Sequence, residues 1–395
     1  MVSRRSPQPR LLKKPPRSFF LFGPRGVGKS TWLSQVLPHA KRFDLLDSRL
    51  FLELTGRPDR LESMVGNARR GSWVCIDEVQ RVPVLLNEAH RLIESRGWHF
   101  ALSGSSARKL RRGGTNLLGG RAITRLLEPF VSPELGDRFD LDAAIQWGQL
   151  PLVALDSRAR ADVLESYVHT YLKEEVREEG LIRRVEPFIR FLEIAGLLNG
   201  EQVVASNVAR DAAVPRSSVD VYFSILEDTL LCHRLPAFVP RARVREQAHS
   251  KLYWFDPGVA RAAAGLLGDA VDATWRGRAL ETLVFHELRV HNHVCGKRRK
   301  MAFYRTRQGA EIDFVVQTAA GTGSERPSIV CIEVKHATRW DDRWEKPMRE
   351  LASSGAVRMK RMFGVYRGAE VLVREGVEVL PVREFLRRLH AGQVF

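Results

Sequence analysis

The sequence predicts an α/β protein in three parts: a first domain on a parallel sheet, a helical middle, and a second α/β domain. Three observations carry this. A glycine-rich stretch, Gly23, Pro24, Arg25, Gly26, Val27, Gly28, Lys29 and Ser30, followed by Thr31, lies between an apolar run at 18–22 and a helically spaced run at 31–37. Strand-like and helix-like runs alternate over 18–130, as parallel sheets with crossover helices require. After a charged helical stretch, hairpin and strand patterns return from about Glu246 onward.

The glycine-rich stretch fits G-x-x-x-x-G-K-[ST], the phosphate-binding loop, and has the strand–loop–helix setting that its chemistry needs. Its glycines let backbone N–H groups curl around phosphate oxygens at a helix N-terminus. Lys29 is placed to reach the β- and γ-phosphates of ATP, and Ser30 to ligate Mg²⁺. Candidate strands follow at 42–46, 73–76, 100–103 and 122–127, and the residues at their carboxyl ends are expected to meet. The strand Trp73–Ile76 ends in Asp77 and Glu78. Acids at the end of a buried strand are costly without a role or a partner. Asp77 is read as holding Mg²⁺ through its shell and Glu78 as polarising the attacking water; the alternative is a solvated pair of acids. The next strand ends in Ser103, Ser105 and Ser106, read either as sensing the γ-phosphate or as a polar turn.

From Gln149 to about Glu186 the pattern is helical and charged, like a lid. Within 187–240, a helix at 188–195 precedes a short helix at 206–214 and, after a tight turn, a second at 215–226. That is helix-turn-helix spacing. Arg216, Ser217 and Ser218 then open the second helix, where base or phosphate contacts arise; the alternative is a small structural helical domain.

In the third part, 277–288 reads as a helix, 301–306 and 311–316 as a hairpin, and 329–335 as a strand. Side chains alternate along strands, so Glu311 and Asp313 share a face, as do Glu333 and Lys335. An acid followed by E-x-K on a neighbouring strand is an arrangement for binding Mg²⁺, with Lys335 steadying the charge, and Glu281 adds a ligand from the helix. The alternatives are an ion-paired sheet surface or a nuclease-like fold used only for binding.

The 395-residue chain is too long for one ordinary core. Its net charge of +17 favours polyanions through counterion release and steering. Basic clusters stand at Arg108, Lys109, Arg111 and Arg112, at Arg241 to Arg245, at Lys297, Arg298, Arg299 and Lys300, and at Arg358 to Arg361. Four scattered cysteines form neither a disulfide framework nor a zinc spacing, so a reducing cytoplasm is expected. The basic first ten residues lack the apolar region of a secretion signal, and no apolar run approaches the length of a membrane span.

From about Ser18 onward the chain resembles a family of bacterial and archaeal ATPases with an AAA-type core and a C-terminal domain of unknown function, DUF4143. The resemblance rests on Gly23–Thr31, 76–80, 102–106, 118–121, 128–134, 251–258, 277–281, 308–313 and 333–335. It implies an AAA+-like P-loop ATPase domain joined to a winged-helix region and a C-terminal domain of the PD-(D/E)XK restriction-endonuclease fold. The division expected is a basic tail at 1–17, the ATPase core at 18–150, lid and winged helix at 151–245, and the nuclease-like domain at 246–395. By its placement Arg121 reads as a sensor or finger arginine, or else as an ordinary ion-pair residue. The function expected is an oligomeric, Mg²⁺-dependent ATPase acting on DNA, with RNA left open. Two alternatives stand beside it: an ATP-switched DNA-binding regulator, and an ATP-regulated metal-dependent nuclease.

Overall fold

The computed structural model describes residues 8–105, 118–172, 185–240, 249–306, 308–321 and 325–395. Ser106, the clusters at 108–112 and 241–245, and residues 173–184 of the expected lid lie outside these. The chain forms two compact units: one from the described residues up to Phe130 together with Ser224–Leu231, the other from the rest.

The first unit is a five-stranded sheet in the order β2-β3-β4-β1-β5. Its strands are β1 (Phe19–Phe22), β2 (Lys41–Asp44), β3 (Trp73–Asp77), β4 (His99–Gly104) and β5 (Ile123–Leu126), and every pairing is parallel. Each lies within two residues of its expected limits. β1 is buried along its whole length, as a strand covered on both faces must be. Between the strands run α1 (Lys29–Val36), α2 (Ser48–Gly56), α3 (Arg60–Val65) and α4 (Leu85–Arg96). The apolar faces of α2, α3 and α4 close one core, with Leu54, Leu61, Leu85 and Leu92 packed against Phe20, Phe22, Ile76, Phe100 and Leu102. The register sets Leu21 beside Ser103 and Ile76 beside Leu102. The carboxyl ends of β3, β4 and β1 are therefore neighbours.

The second unit opens with helices, including α5 (Leu141–Trp147), α6 (Val185–Leu197), α7 (Ala205–Asp211) and α8 (Arg216–Asp228), the last of which ends among residues of the first unit. The turn between α7 and α8 holds Ala213 at φ 51°. An aromatic cluster fixes α6 against α8, with Phe191 and Phe223 ring centroids 4.8 Å apart and Phe188 and Tyr222 at 5.2 Å. An antiparallel pair follows, β6 (Cys232–Leu235) with β7 (Lys251–Trp254). Gln202 bridges to Lys251 beside it. After α9 (Pro257–Ala263) comes the long α10 (Ala273–Val294) and a six-stranded mixed sheet. That sheet holds β8 (Lys300–Arg305), β9 (Glu311–Ala319), β10 (Ser328–Lys335), β11 (Arg358–Tyr366), β12 (Leu372–Arg374) and β13 (Val377–Pro381), in the order β12-β13-β11-β10-β9-β8. β8, β9 and β10 form an antiparallel meander, and β11 joins β10 in parallel after α11 (Lys346–Ser353). α12 (Val382–His390) completes the unit.

One buried group near the end of α10 gives the fold a pH dependence. His291 is almost wholly buried. Burial, then the nearby Lys297, His390 and Arg299 charges, push its pKa down to about 4. The native imidazole is therefore neutral, and its stabilisation is present above the unfolded value near 6.5 and is lost as pH falls toward 4. About 2 kcal/mol should disappear between pH 7 and pH 5. Thermal melts at the two pH values should show a clearly smaller drop for His291→Gln than for wild type; equal drops would contradict this.

Candidate functional site

The phosphate loop leaves the end of β1 and runs into α1. Gly26 and Gly28 sit at φ 81° and 88°, a left-handed backbone that side chains with a Cβ rarely adopt. Gly23 is needed for another reason: a Cβ there would meet the Leu127 carbonyl oxygen at 2.0 Å. The loop is thus pressed against the chain leaving β5. Lys29 is buried. Its Nζ donates to the carbonyls of Gly23 at 2.8 Å and Pro24 at 3.1 Å, which folds the ammonium back over the loop. Arg10, from the segment expected to be a basic tail, donates to the Val27 carbonyl at 3.3 Å and lies 4.6 Å over the Phe130 ring.

Asp77 gathers the neighbouring strand ends. Its two carboxylate oxygens accept from Ser30 Oγ and from Ser103 Oγ. The metal-ligating hydroxyl expected in the loop, the first acid of β3 and the last hydroxyl of β4 thus meet at one point. This set fits Mg²⁺: two hard oxygen donors, Ser30 and Asp77, side by side at a phosphate loop. Glu78 follows at φ 55° and ψ 43°, a conformation uncommon for a residue with a Cβ and frequent at functional sites.

Gln80, to which sequence reasoning gave no role, is the holder of Glu78. It is buried, and its Nε2 donates to Glu78 Oε2 and lies 3.5 Å from Ser105 Oγ. Gly104 makes the room, since a Cβ there would meet Gln80 Oε1 at 2.4 Å. The bond from Gln80 holds the Glu78 carboxylate to that amide rather than to a water. Gly104→Ala should therefore displace the Gln80 amide and raise basal ATP turnover severalfold, with ATP affinity unchanged. Turnover at or below the wild-type rate would show that Gln80 does not restrain Glu78. Arg121 does not join this group: its Nε pairs with Glu94 on the exposed surface.

The residues singled out for DNA contact lie in the second unit. Arg216 and Ser217 are exposed at the start of α8 and Ser218 is half-buried, with Arg216 pairing to Asp220 at 2.5 Å. Of the 297–300 cluster, Arg298 and Lys300 are exposed. Lys297 lies 5.3 Å over the Phe395 ring and Arg299 5.8 Å over it, so these two are engaged in anchoring the chain's last residue.

In the second unit the structure brings Glu281, Asp313, Glu333 and Lys335 together, and adds Lys251, Tyr253 and Glu311. Asp313 Oδ2 accepts from the Val334 N–H at 2.8 Å and lies 3.8 Å from Lys335 Nζ. Glu333 accepts from the Asp313 N–H at 3.3 Å and pairs with Lys335. Lys251 Nζ lies 3.5 Å from Glu281 and 3.6 Å from Asp313 and is in contact with Glu311. Tyr253 donates to Glu281 at 3.2 Å. Burial opposes the charge on Lys251, but Tyr253, Glu281, Asp313 and Glu311 outweigh it and hold the pKa above the usual lysine range. Burial, then the Asp313 charge, pushes Glu281 and Glu333 above the usual carboxylate range. Among the described residues no group of three or more His, Cys, Asp or Glu is arranged to hold a metal ion. Glu281 and Asp313, expected to ligate Mg²⁺, already face the ammonium of Lys251, a cation outside the expected set, so as they stand they do not fit a resident divalent metal.

A parallel sheet whose phosphate loop meets Asp77, at the end of a strand one removed in the sheet, defines the class: a P-loop ATPase fold. Family models narrow it, because an AAA domain matches residues 15–136 and a domain of unknown function, DUF4143, matches 276–385. The chain thus carries an AAA-type ATPase domain followed by a DUF4143 domain, as the resemblance implied. A further domain of unknown function, DUF8612, matches 138–270, between them. No curated protein matches the chain. Among the described residues no helix is long and apolar enough to cross a membrane.

Proposed function

We propose that this protein is a Mg²⁺-dependent ATPase of the cytoplasm that acts as a homo-oligomer and couples ATP hydrolysis to remodelling of, or movement along, DNA. The meeting of Ser30, Asp77 and Ser103 beside the phosphate loop carries this reading. Ser30 and Asp77 would hold the metal, which would supply charge neutralisation on the phosphate oxygens. The loop N–H groups and Lys29 bind the phosphates, Glu78 takes the proton of the attacking water, and Ser103 and Ser105 stand beside the γ-phosphate.

The DNA part rests on the middle of the chain and its charge. α6, a bridged residue at Gln202, α7, α8 and the β6–β7 pair follow one another in the order of a winged helix, with Arg216, Ser217 and Ser218 opening its second helix. Exposed Arg298 and Lys300 and the net charge of +17 add sequence-independent attraction to phosphates, which RNA shares. The succession α10, β8, β9, β10, α11, β11 supports a restriction-endonuclease-like fold for the C-terminal domain.

A second reading, an ATP-switched DNA-binding regulator, is favoured by the hold of Gln80 on Glu78, which suits slow hydrolysis and long occupancy. Turnover separates the two. Phosphate release is measured alone and with single-stranded, double-stranded and branched DNA and with RNA. Severalfold stimulation by DNA supports the coupled ATPase; slow turnover indifferent to DNA with retained DNA binding supports the regulator. Absence of binding to any nucleic acid at low salt rejects both.

A further inference from the structure

We infer that Lys251 is a built-in cation that takes the place of a divalent metal in the C-terminal sheet, so that this domain carries no resident metal. The inference is independent of the ATPase reading, since every residue it uses lies in the second unit.

The placement is specific. Lys251 is the first residue of β7, and its buried Nζ stands among three carboxylates drawn from α10 and β9: Glu281 at 3.5 Å, Asp313 at 3.6 Å and Glu311 in direct contact. A metal bridging a helix acid to the strand acid would need this same space. The remaining Asp313 oxygen and Glu333 are met by Lys335 and by the Val334 and Asp313 N–H groups. Four carboxylates, Glu281, Glu311, Asp313 and Glu333, thus face three cations, Lys251, Lys335 and Arg305, the last 3.6 Å from Glu311. Converging acids need a counter-charge when buried, and here the chain supplies it. With the chain's own cation in place, no metal is left to activate a water.

The test is Mn²⁺ binding to the full-length, nucleotide-free protein by calorimetry, with thermal melting as a second readout. Wild type and Asp313→Asn should bind Mn²⁺ alike, with no Asp313-dependent site, and Mn²⁺ or EDTA should not shift the wild-type melt. Lys251→Met removes the cation and leaves the acids. It should gain one Mn²⁺ per chain at least tenfold tighter than any wild-type binding, melt at higher temperature with Mn²⁺, and lose both effects in the Lys251→Met, Asp313→Asn double variant. Mn²⁺ binding by wild type that Asp313→Asn abolishes would overturn the inference, and that comparison stands even where Lys251→Met does not fold. A folded Lys251→Met that gains no Mn²⁺ would overturn it equally.

Discussion

Lys29→Ala is expected to remove nucleotide binding from the measurable range. Hydrogen bonds to charged groups contribute roughly 1.5–3 kcal/mol each, and a lysine bridging two phosphates makes more than one. A loss of about 3 kcal/mol is already a factor of more than a hundred in affinity. The buried ammonium also ties the Gly23 and Pro24 carbonyls, so its removal loosens the cradle itself. Titration of a fluorescent ATP analogue into both proteins measures this. Affinity within threefold of wild type would place the phosphates elsewhere.

Glu78→Gln is expected to separate binding from chemistry. The amide keeps the size of the carboxylate but cannot accept the proton of water, and general-base catalysis contributes typically 10²–10⁴-fold. Phosphate release should fall by about that factor while ATP affinity stays within a few-fold of wild type, because Glu78 touches neither the loop nor Ser30 in this fold; it accepts from Gln80 instead. Hydrolysis at the wild-type rate in Glu78→Gln would reassign the water-activating role.

Much of this was legible in the chain. The three central strands of the first sheet were readable because strands buried on both faces stand out as short apolar runs, and because the phosphate loop fixes the order strand, loop, helix. Asp77 and Ser103 could be assigned to one site from their places at strand ends alone. The α7 and α8 helices and the β8–β9 hairpin followed from local periodicity in the same way.

What escaped the sequence was pairing across distance. Gln80 sits two residues from Glu78, but its grip on that carboxylate depends on Gly104, on a strand that only the sheet brings close. Lys251 reads as one lysine before an apolar run; nothing local places it beside Glu281 and Asp313, whose positions are set by a helix and a different strand. A charged residue opening a buried strand was the available signal. Arg121 reads as a sensor or finger arginine or as an ordinary ion-pair residue, and its pairing with Glu94, far along the chain, could not be seen locally. The basic run at 297–300 divides for a similar reason: Phe395 covers two of its four side chains, and that contact joins residues nearly a hundred positions apart.

The most direct test of the central claim is phosphate release by wild-type protein at saturating ATP, measured with Mg²⁺ and again with the divalent metal removed by EDTA. Steady turnover with Mg²⁺ that drops at least a hundredfold in EDTA is the result predicted by a hydrolytic centre built on Ser30, Asp77 and Glu78. Absence of phosphate release with Mg²⁺, or release that EDTA leaves unchanged, would contradict it.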